Sequence, residues 1–315
     1  MNPYPEAFTK IGLAVVFCLT IGPVRAQDST NPVAAAPTGG GAGADARGGS
    51  GRTSDSRVQN RTYLFAETGE NLPYAVFVSS KVSKDKKAPL ILALRGAGGN
   101  PTVFLRGAAL DLAEEGGYIL VGVMGYNSMG SFGMPASGRG GRGGAAGAAP
   151  QAPGTNAAAR GAQPARRGAA GGSVETDPAK VSEFSEKDVM NVLEMVRKEF
   201  NVDDRRIYVL GHSQGGAGAL HLADKYSSIW AAGAMLSPGA PGFQLDPNAK
   251  FKDVALLIMV GAADTLIATP RRIDEQLKSE NIPHEYKEMP GLDHGGIVMG
   301  GMPDVFKFFG QHSKP

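Results

Sequence analysis

A serine, an aspartate and a histidine, met in that order along the chain and each beside glycine or small residues, are the groups that could do covalent chemistry here. Ser213 stands in Gly211-His212-Ser213-Gln214-Gly215, a G-x-S-x-G pattern, after the apolar run Tyr208-Val209-Leu210 and before the helix-forming stretch Ala217 to Ala223. A strand that turns sharply into a helix in this way holds its serine in a strained conformation with the hydroxyl exposed. The flanking glycines let strand and helix pass where a Cβ would clash. A serine hydroxyl is a weak nucleophile until a base takes its proton, and the base needs an acid to orient it. Asp264 closes Val260-Gly261-Ala262-Ala263-Asp264 directly after an apolar strand, where that acid belongs. His294 lies on the loop Gly291-Leu292-Asp293-His294-Gly295-Gly296 beyond the last strand, placed to reach back to Ser213. The other histidines fit this role worse. His221 is on the helix behind the serine, His284 opens a strand, His312 is in the tail, and His212 adjoins the serine and is expected to point away from it. Asp293 is the second candidate acid, but its adjacency to His294 makes it a poor orienter of the ring, and it is expected to be a loop residue.

Attack on a carbonyl builds negative charge on its oxygen, which needs backbone N–H donors aimed at it. The amide of Gln214 opens the helix after the serine and shares its positive end. The second donor is expected from the glycine turn Arg95-Gly96-Ala97-Gly98-Gly99, with Ala97 as the candidate. That turn lacks the glycine spacing of a dinucleotide or phosphate loop, no histidine pair has metal-ligand spacing, and no aromatic-basic interleaving occurs. No cofactor, metal or nucleic acid is therefore expected. Met299 and Met302, just after His294, suit an acyl pocket or the core equally.

These groups must be held by a scaffold that hydrophobic patterning makes legible. Strands are predicted over 61–66 and 73–78, paired antiparallel through a turn at Glu70-Asn71, then over 89–94, 118–124, 206–210, 231–236, 254–260 and 284–289. Helices are predicted over 102–115, from a capping box at Ser185-Glu186-Lys187-Asp188, behind Ser213, over 271–280 and over 304–311. Strands alternating with helices imply an α/β fold, a mostly parallel eight-stranded sheet with helices on both faces. Binding groups then lie at the carboxyl ends of the strands. No separate lid domain is visible between Leu236 and Asp264, so an open site is expected.

The chain has 315 residues, 45 of them glycine, and a net charge of +2. Lys10, the apolar run Ile11 to Gly22 and Val24-Arg25-Ala26 have the order of a signal peptide over 1–26, which implies a secreted or periplasmic protein without stable membrane insertion after cleavage. The single cysteine, Cys18, lies in that segment, so the mature chain would carry no thiol. Residues 27–60 are too poor in large apolar residues to fold and read as a disordered linker. Residues 61–315 form the catalytic domain, interrupted at about 128–177 by a disordered Gly/Ala/Arg-rich insertion.

With Ser213, Asp264 and His294 in this order the chain resembles the α/β-hydrolase superfamily, and most of all the small secreted esterases grouped with polyhydroxyalkanoate depolymerases, feruloyl esterases and acetyl-xylan esterases. The likeness also rests on Leu94-Arg95-Gly96-Ala97-Gly98-Gly99, Asp188 and the run Asp203 to Gly216. It implies a serine carboxylic-ester hydrolase working through an acyl-enzyme on a bulky or polymer-attached ester, polysaccharide- or polyester-linked. The chain departs from the family at Arg95, where histidine is usual, which points to an anionic group nearby, and at the insertion, which replaces a substrate-shaping region. A serine peptidase of the prolyl-oligopeptidase type would use the same triad on the same fold. A non-catalytic surface or polyanion-binding protein would instead work through the arginines of the insertion.

Overall fold

A computed structural model describes residues 55–134, 173–239 and 245–315. The expected signal peptide, most of the linker and the bulk of the insertion lie outside the described residues. Eight strands form one sheet in the order β1-β2-β4-β3-β5-β6-β7-β8. They are β1 (Gln59–Phe65), β2 (Glu70–Val78), β3 (Ala88–Leu94), β4 (Ile119–Val123), β5 (Val202–His212), β6 (Ala232–Leu236), β7 (Ala255–Gly261) and β8 (Glu285–Met289). The β1–β2 and β2–β4 pairs are antiparallel, and every pair from β4–β3 through β7–β8 is parallel.

The sheet is buried on both faces because its central strands carry apolar side chains at every position, and alternate residues feed two separate cores. Leu90, Leu92, Leu94, Ile207 and Val209 pack on one face with Val189, Val192 and Val196 of α2 (Pro178–Glu199), Leu220 of α3 (Gln214–Lys225) and Leu277 of α4 (Ala268–Ser279). Ile91, Ala93, Tyr208 and Leu210 pack on the other with Leu110 of α1 (Ala108–Gly116), Ile297 of α5 (Ile297–Gly300) and Phe306 and Phe309 of α6 (Met302–Gly310). The expected architecture, with helices on both faces, is therefore the observed one.

Several boundaries differ from expectation. The first strand pair turns over Ala66 to Gly69, and Glu70 already belongs to β2, because Gly69 takes a positive φ of 72° that closes the turn. The helix predicted over 102–115 begins only at Ala108; Asn100 to Gly107 form turns in which the Asn100 carboxamide oxygen accepts the Thr102 amide and hydroxyl protons. The largest displacement is in α2. Its N-cap is Asp177, whose side chain accepts the Ala179 amide with Pro178 in the first turn, so the helix starts two turns before Ser185. Ser185 is buried mid-helix, its hydroxyl donating toward the Gly125 and Val181 carbonyls. The capping-box pattern was local chemistry that a better start upstream overrode. Asp203 and Asp204 lie in β5, which therefore starts four residues before the strand predicted from Arg206.

The edges of the insertion are also ordered. Residues 128–134 and 173–177 are described and packed: Asn127 Nδ2 donates to Ser173 Oγ at 2.9 Å, and the Val174 amide to Glu70 Oε1 at 3.0 Å. Among the described residues between Leu236 and Ala255 there is no helix or strand.

Candidate active site

The parallel strands leave their carboxyl ends along one edge, and the chain order reverses about β3, whose neighbours are β4 on one side and β5 on the other. An open sheet has its crevice at such a point. Ser213 follows β5 there, with φ 55° and ψ −119°, a conformation that side chains rarely adopt. Its surroundings hold it in place. The Ser213 amide donates to the Leu236 carbonyl at 2.9 Å, and its carbonyl accepts from Ala217 and Gly239, both at 3.1 Å. A Cβ on Gly211 would lie 2.0 Å from the Gly215 carbonyl oxygen, and one on Gly215 would lie 2.3 Å from both the Leu94 and Arg95 carbonyl oxygens. Glycine is therefore required at both positions by backbone contacts that cannot yield.

Asp264 and His294 converge on this serine. His294 Nε2 is 3.0 Å from Ser213 Oγ, and its Nδ1 is 2.8 Å from Asp264 Oδ2. The loops after β7 and β8 are tied together by the Ala262 and Ala263 amides, which donate to the Met289 and Leu292 carbonyls. Their closeness needs Gly261, where a Cβ would lie 2.2 Å from the Leu292 carbonyl oxygen. The Asp264 side chain is wholly buried and that of His294 about one-third exposed at 32%. Burial alone would raise the Asp264 pKa, but the Leu266 amide, donating to Oδ1 at 2.8 Å, and the imidazole outweigh it and hold the carboxyl below its ordinary range. The acid is thus an anion facing the ring nitrogen remote from the serine.

Asp293 is a loop residue, as expected, and its Oδ1 accepts the Gly295 and Gly296 amides at 3.1 and 2.6 Å, fixing the turn that presents His294. His212 corrects the expectation that it points away. Its Nε2 is 2.7 Å from the His294 carbonyl oxygen, and the two rings lie 4.8 Å apart. Burial pushes His212 down to about 4, against the bond to that carbonyl, so at neutral pH it is uncharged and donates through Nε2. It anchors the histidine loop to the elbow. Its place inside the G-x-S-x-G pattern was the available signal, but a ring at that position has two directions to choose between. His221, His284 and His312 are engaged elsewhere, with Glu186, Asp274 and the Phe308 carbonyl.

The glycine turn after β3 lies against the nucleophile, since a Cβ on Gly96 would be 3.3 Å from Ser213 Cβ. Ala97 is exposed, and among the described residues no backbone acceptor takes its N–H. Gln214 is the first residue of α3, so its N–H has no partner within the helix. The Ala97 N–H is thus without a backbone acceptor, and that of Gln214 without one in its own helix. Arg95, however, is wholly buried, and its direct partners are carbonyl oxygens rather than a carboxylate. The nearby anion is Asp188, also fully buried, which accepts from Tyr63 Oη and the Gly125 amide, both at 2.7 Å, and acts on Arg95 through its charge. Met302 is core; Met299 is partly buried against the same core. Among the described residues no cluster of His, Cys, Asp and Glu could hold a metal ion.

Sheet order, the strand-to-helix turn at Ser213 and the convergent loops give the α/β-hydrolase fold. The model of the Esterase family, described as "Putative esterase", matches residues 182–295, a span that contains Ser213, Asp264 and His294. No curated protein matches the chain. Solved structures of similar fold include a ferulic acid esterase from the anaerobic fungus Anaeromyces mucronatus, at 16% identity over 80% of this chain and 90% of that one, with a TM-score of 0.57. An S-formylglutathione hydrolase from Agrobacterium tumefaciens is similar at 15% identity over 81% and 94%, TM-score 0.55. The fluorophosphonate-binding serine hydrolase F of Staphylococcus aureus is similar at 15% identity over 80% and 97%, TM-score 0.54.

Proposed function

We propose that this protein hydrolyses carboxylic esters through an acyl-enzyme on Ser213. The observation that carries the reading is the continuous contact Asp264 to His294 to Ser213 at 2.8 and 3.0 Å, built on a strained elbow. In the first half-reaction His294 Nε2 takes the proton of Ser213 Oγ as the oxygen attacks the ester carbonyl. Asp264 holds the ring so that Nδ1 carries its proton and Nε2 is free to accept, and it stabilises the imidazolium that forms. The Ala97 and Gln214 amides receive the oxyanion. Collapse expels the alcohol, which takes the proton from His294. Water then repeats the sequence, with His294 as its base, and releases the acid.

The substrate is proposed to be a bulky or polymer-attached ester, as the partly exposed His294 and the lack of a helix or strand between β6 and β7 among the described residues favour an open site. Feruloyl esters and the thioester S-formylglutathione, suggested by the names of the similar structures, are two chemistries to try. Export is proposed from the pattern of residues 1–26, and the mass of the protein recovered outside the cytoplasm checks it.

The deciding experiment is turnover of nitrophenyl esters from acetyl to octanoyl by the protein and by Ser213→Ala. Turnover that vanishes in the variant supports the mechanism, and the chain-length profile sizes the acyl pocket. A folded protein that turns over none of these esters would sink the ester-hydrolase reading and move it to peptide substrates or to polyanion binding, and a variant as active as its parent would sink Ser213 as the nucleophile.

A further inference from the structure

Resting on the ester-hydrolase reading, we infer that Arg95 is the positioning residue of the oxyanion hole, a buried guanidinium that fixes the peptide carrying one donor and the side chain of the residue carrying the other. The argument begins with peptide geometry. The carbonyl of Gly96 and the N–H of Ala97 belong to one planar trans unit and point in opposite directions. Whatever fixes the carbonyl therefore aims the N–H. The Gly96 carbonyl oxygen accepts from Arg95 Nη1 at 3.1 Å and from the Gly99 amide at 3.0 Å. With that oxygen held inside the loop, the Ala97 N–H is turned outward. A cation on the carbonyl also polarises the same peptide and makes its N–H a stronger donor.

The same guanidinium reaches the second donor. Arg95 Nη1 lies 3.3 Å from Gln214 Oε1, and Gln214 Nε2 donates to the Met129 carbonyl at 3.2 Å, so the side chain of the residue after the nucleophile is held at both ends of its amide. The remaining donors organise the wall between them. Nε donates to the Met124 carbonyl at 2.8 Å, and Nη2 donates to the Asn127 carbonyl and to that of Gly130 at 3.1 Å. The Gly98 amide adds a bond to the Ser128 carbonyl at 2.8 Å, and the guanidinium carbon sits 5.1 Å from the centre of the Phe132 ring. Four backbone carbonyls and one carboxamide need a planar fork of several N–H groups. An imidazole has two nitrogens and a lysine one, so neither could replace this set.

Burying a cation is unfavourable unless it is compensated. Here the compensation is the ring of carbonyl oxygens and the charge of Asp188, and the arginine remains cationic at neutral pH. A buried charge serving only stability would be an inefficient choice beside an apolar residue. Its bonds reach the Gly96–Ala97 peptide and the side chain of Gln214, one on each side of the site.

The test compares Arg95→Lys and Arg95→Gln with the parent on a nitrophenyl ester, together with binding of an alkyl boronic acid, whose tetrahedral adduct on Ser213 mimics the oxyanion. The expected result, in variants that remain folded, is kcat lower on the order of 10- to 100-fold with KM changed far less, and boronate affinity lower by a similar factor. A merely structural role would lower the unfolding midpoint and leave kcat per folded molecule and boronate affinity alone, and that outcome overturns the inference. Because a buried arginine variant can fail to fold, the second measurement uses the parent protein. A crystal structure of its fluorophosphonate adduct on Ser213 should show a phosphoryl oxygen bonded by the Ala97 and Gln214 amides, with Arg95 still on the Gly96 carbonyl. An oxygen bonded elsewhere overturns the inference. A parent that neither turns over esters nor reacts with the phosphonate removes the ester-hydrolase reading itself, a failure distinct from loss of activity in the Arg95 variants alone.

Discussion

Two residues show how differently the same site can be damaged. Asp264 acts on the proton position of His294. In Asp264→Asn the Leu266 amide keeps its carbonyl acceptor, while the new NH2 group faces Nδ1 of the ring. Nδ1 must then be the acceptor and Nε2 carry the proton, the wrong tautomer for taking the proton of Ser213. We expect kcat on a nitrophenyl ester to fall by roughly 10⁴ with the unfolding midpoint little moved, as removal of the acid does in triads generally. Gly215 acts on the backbone. Its Cβ would meet two carbonyl oxygens at the end of β3, a central strand that cannot withdraw. Gly215→Ala should therefore cost about 1–3 kcal/mol or more in urea unfolding, the range of overpacked cores. Gly233 is the matched control: the nearest atoms to its Cβ are the flexible Met235 Sδ and a Val209 methyl, both at 3.4 Å. Gly233→Ala should be neutral or stabilise by about 0.4–1 kcal/mol through the unfolded chain.

At the scale of elements, the strands and the site were legible in the sequence and the helix starts were not. A buried parallel strand announces itself by an unbroken apolar run, as in Pro89 to Leu94, and the elbow by two glycines whose necessity is steric. Helix α2 was misread because its true N-cap, Asp177-Pro178, adjoins the Gly/Ala/Arg-rich stretch, while Ser185 offered the same chemistry inside the helix. Arg95 stood out in the sequence by its type, but its role depends on carbonyls of the 124–130 loop that no spacing rule brings together. The same helix carries a pH-dependent group. Burial pushes Asp188 up to about 6, against the bonds from Tyr63, Gly125 and Tyr126 and the charge of Arg95. A carboxyl with a raised folded pKa stabilises fully below its unfolded value, and the contribution is lost as pH rises through the folded value. The window is thus about pH 4 to 6, with a change of at most about 3 kcal/mol. Asn in its place can accept from Gly125 and donate to Tyr63 without a charge. Stability of Asp188→Asn relative to the parent should therefore climb between pH 4 and 6 and level off above; a difference flat across that range would show that Asp188 titrates normally.

For the whole molecule, the question is whether the Gly/Ala/Arg-rich segment belongs to the function or only interrupts the domain. The described residues on either side of it are held by the rest of the domain. On the entering side the Gly133 amide donates to the Ser182 carbonyl at 2.9 Å and the Met134 carbonyl accepts from Ser182 Oγ at 2.6 Å. On the returning side Ser173 and Val174 are held by Asn127 and Glu70, and the Glu175 amide donates to Tyr126 Oη at 2.9 Å. Both flanks are therefore fixed by groups outside the segment, beside the 124–130 loop that Arg95 clamps. Replacing residues 135–172 with a short Gly/Ser linker shortens a loop whose closure entropy grows slowly with length, about 0.6 kcal/mol per doubling. The shortened protein should unfold at the same urea concentration or slightly higher, and turn over small nitrophenyl esters within about twofold of the parent. If small-ester turnover persists while release of acid from a polymeric ester drops, the segment guides bulky substrates to the open site. If small-ester turnover itself collapses with the fold intact, the segment contributes to the site, and the 124–130 loop would need it to hold the oxyanion donors in line.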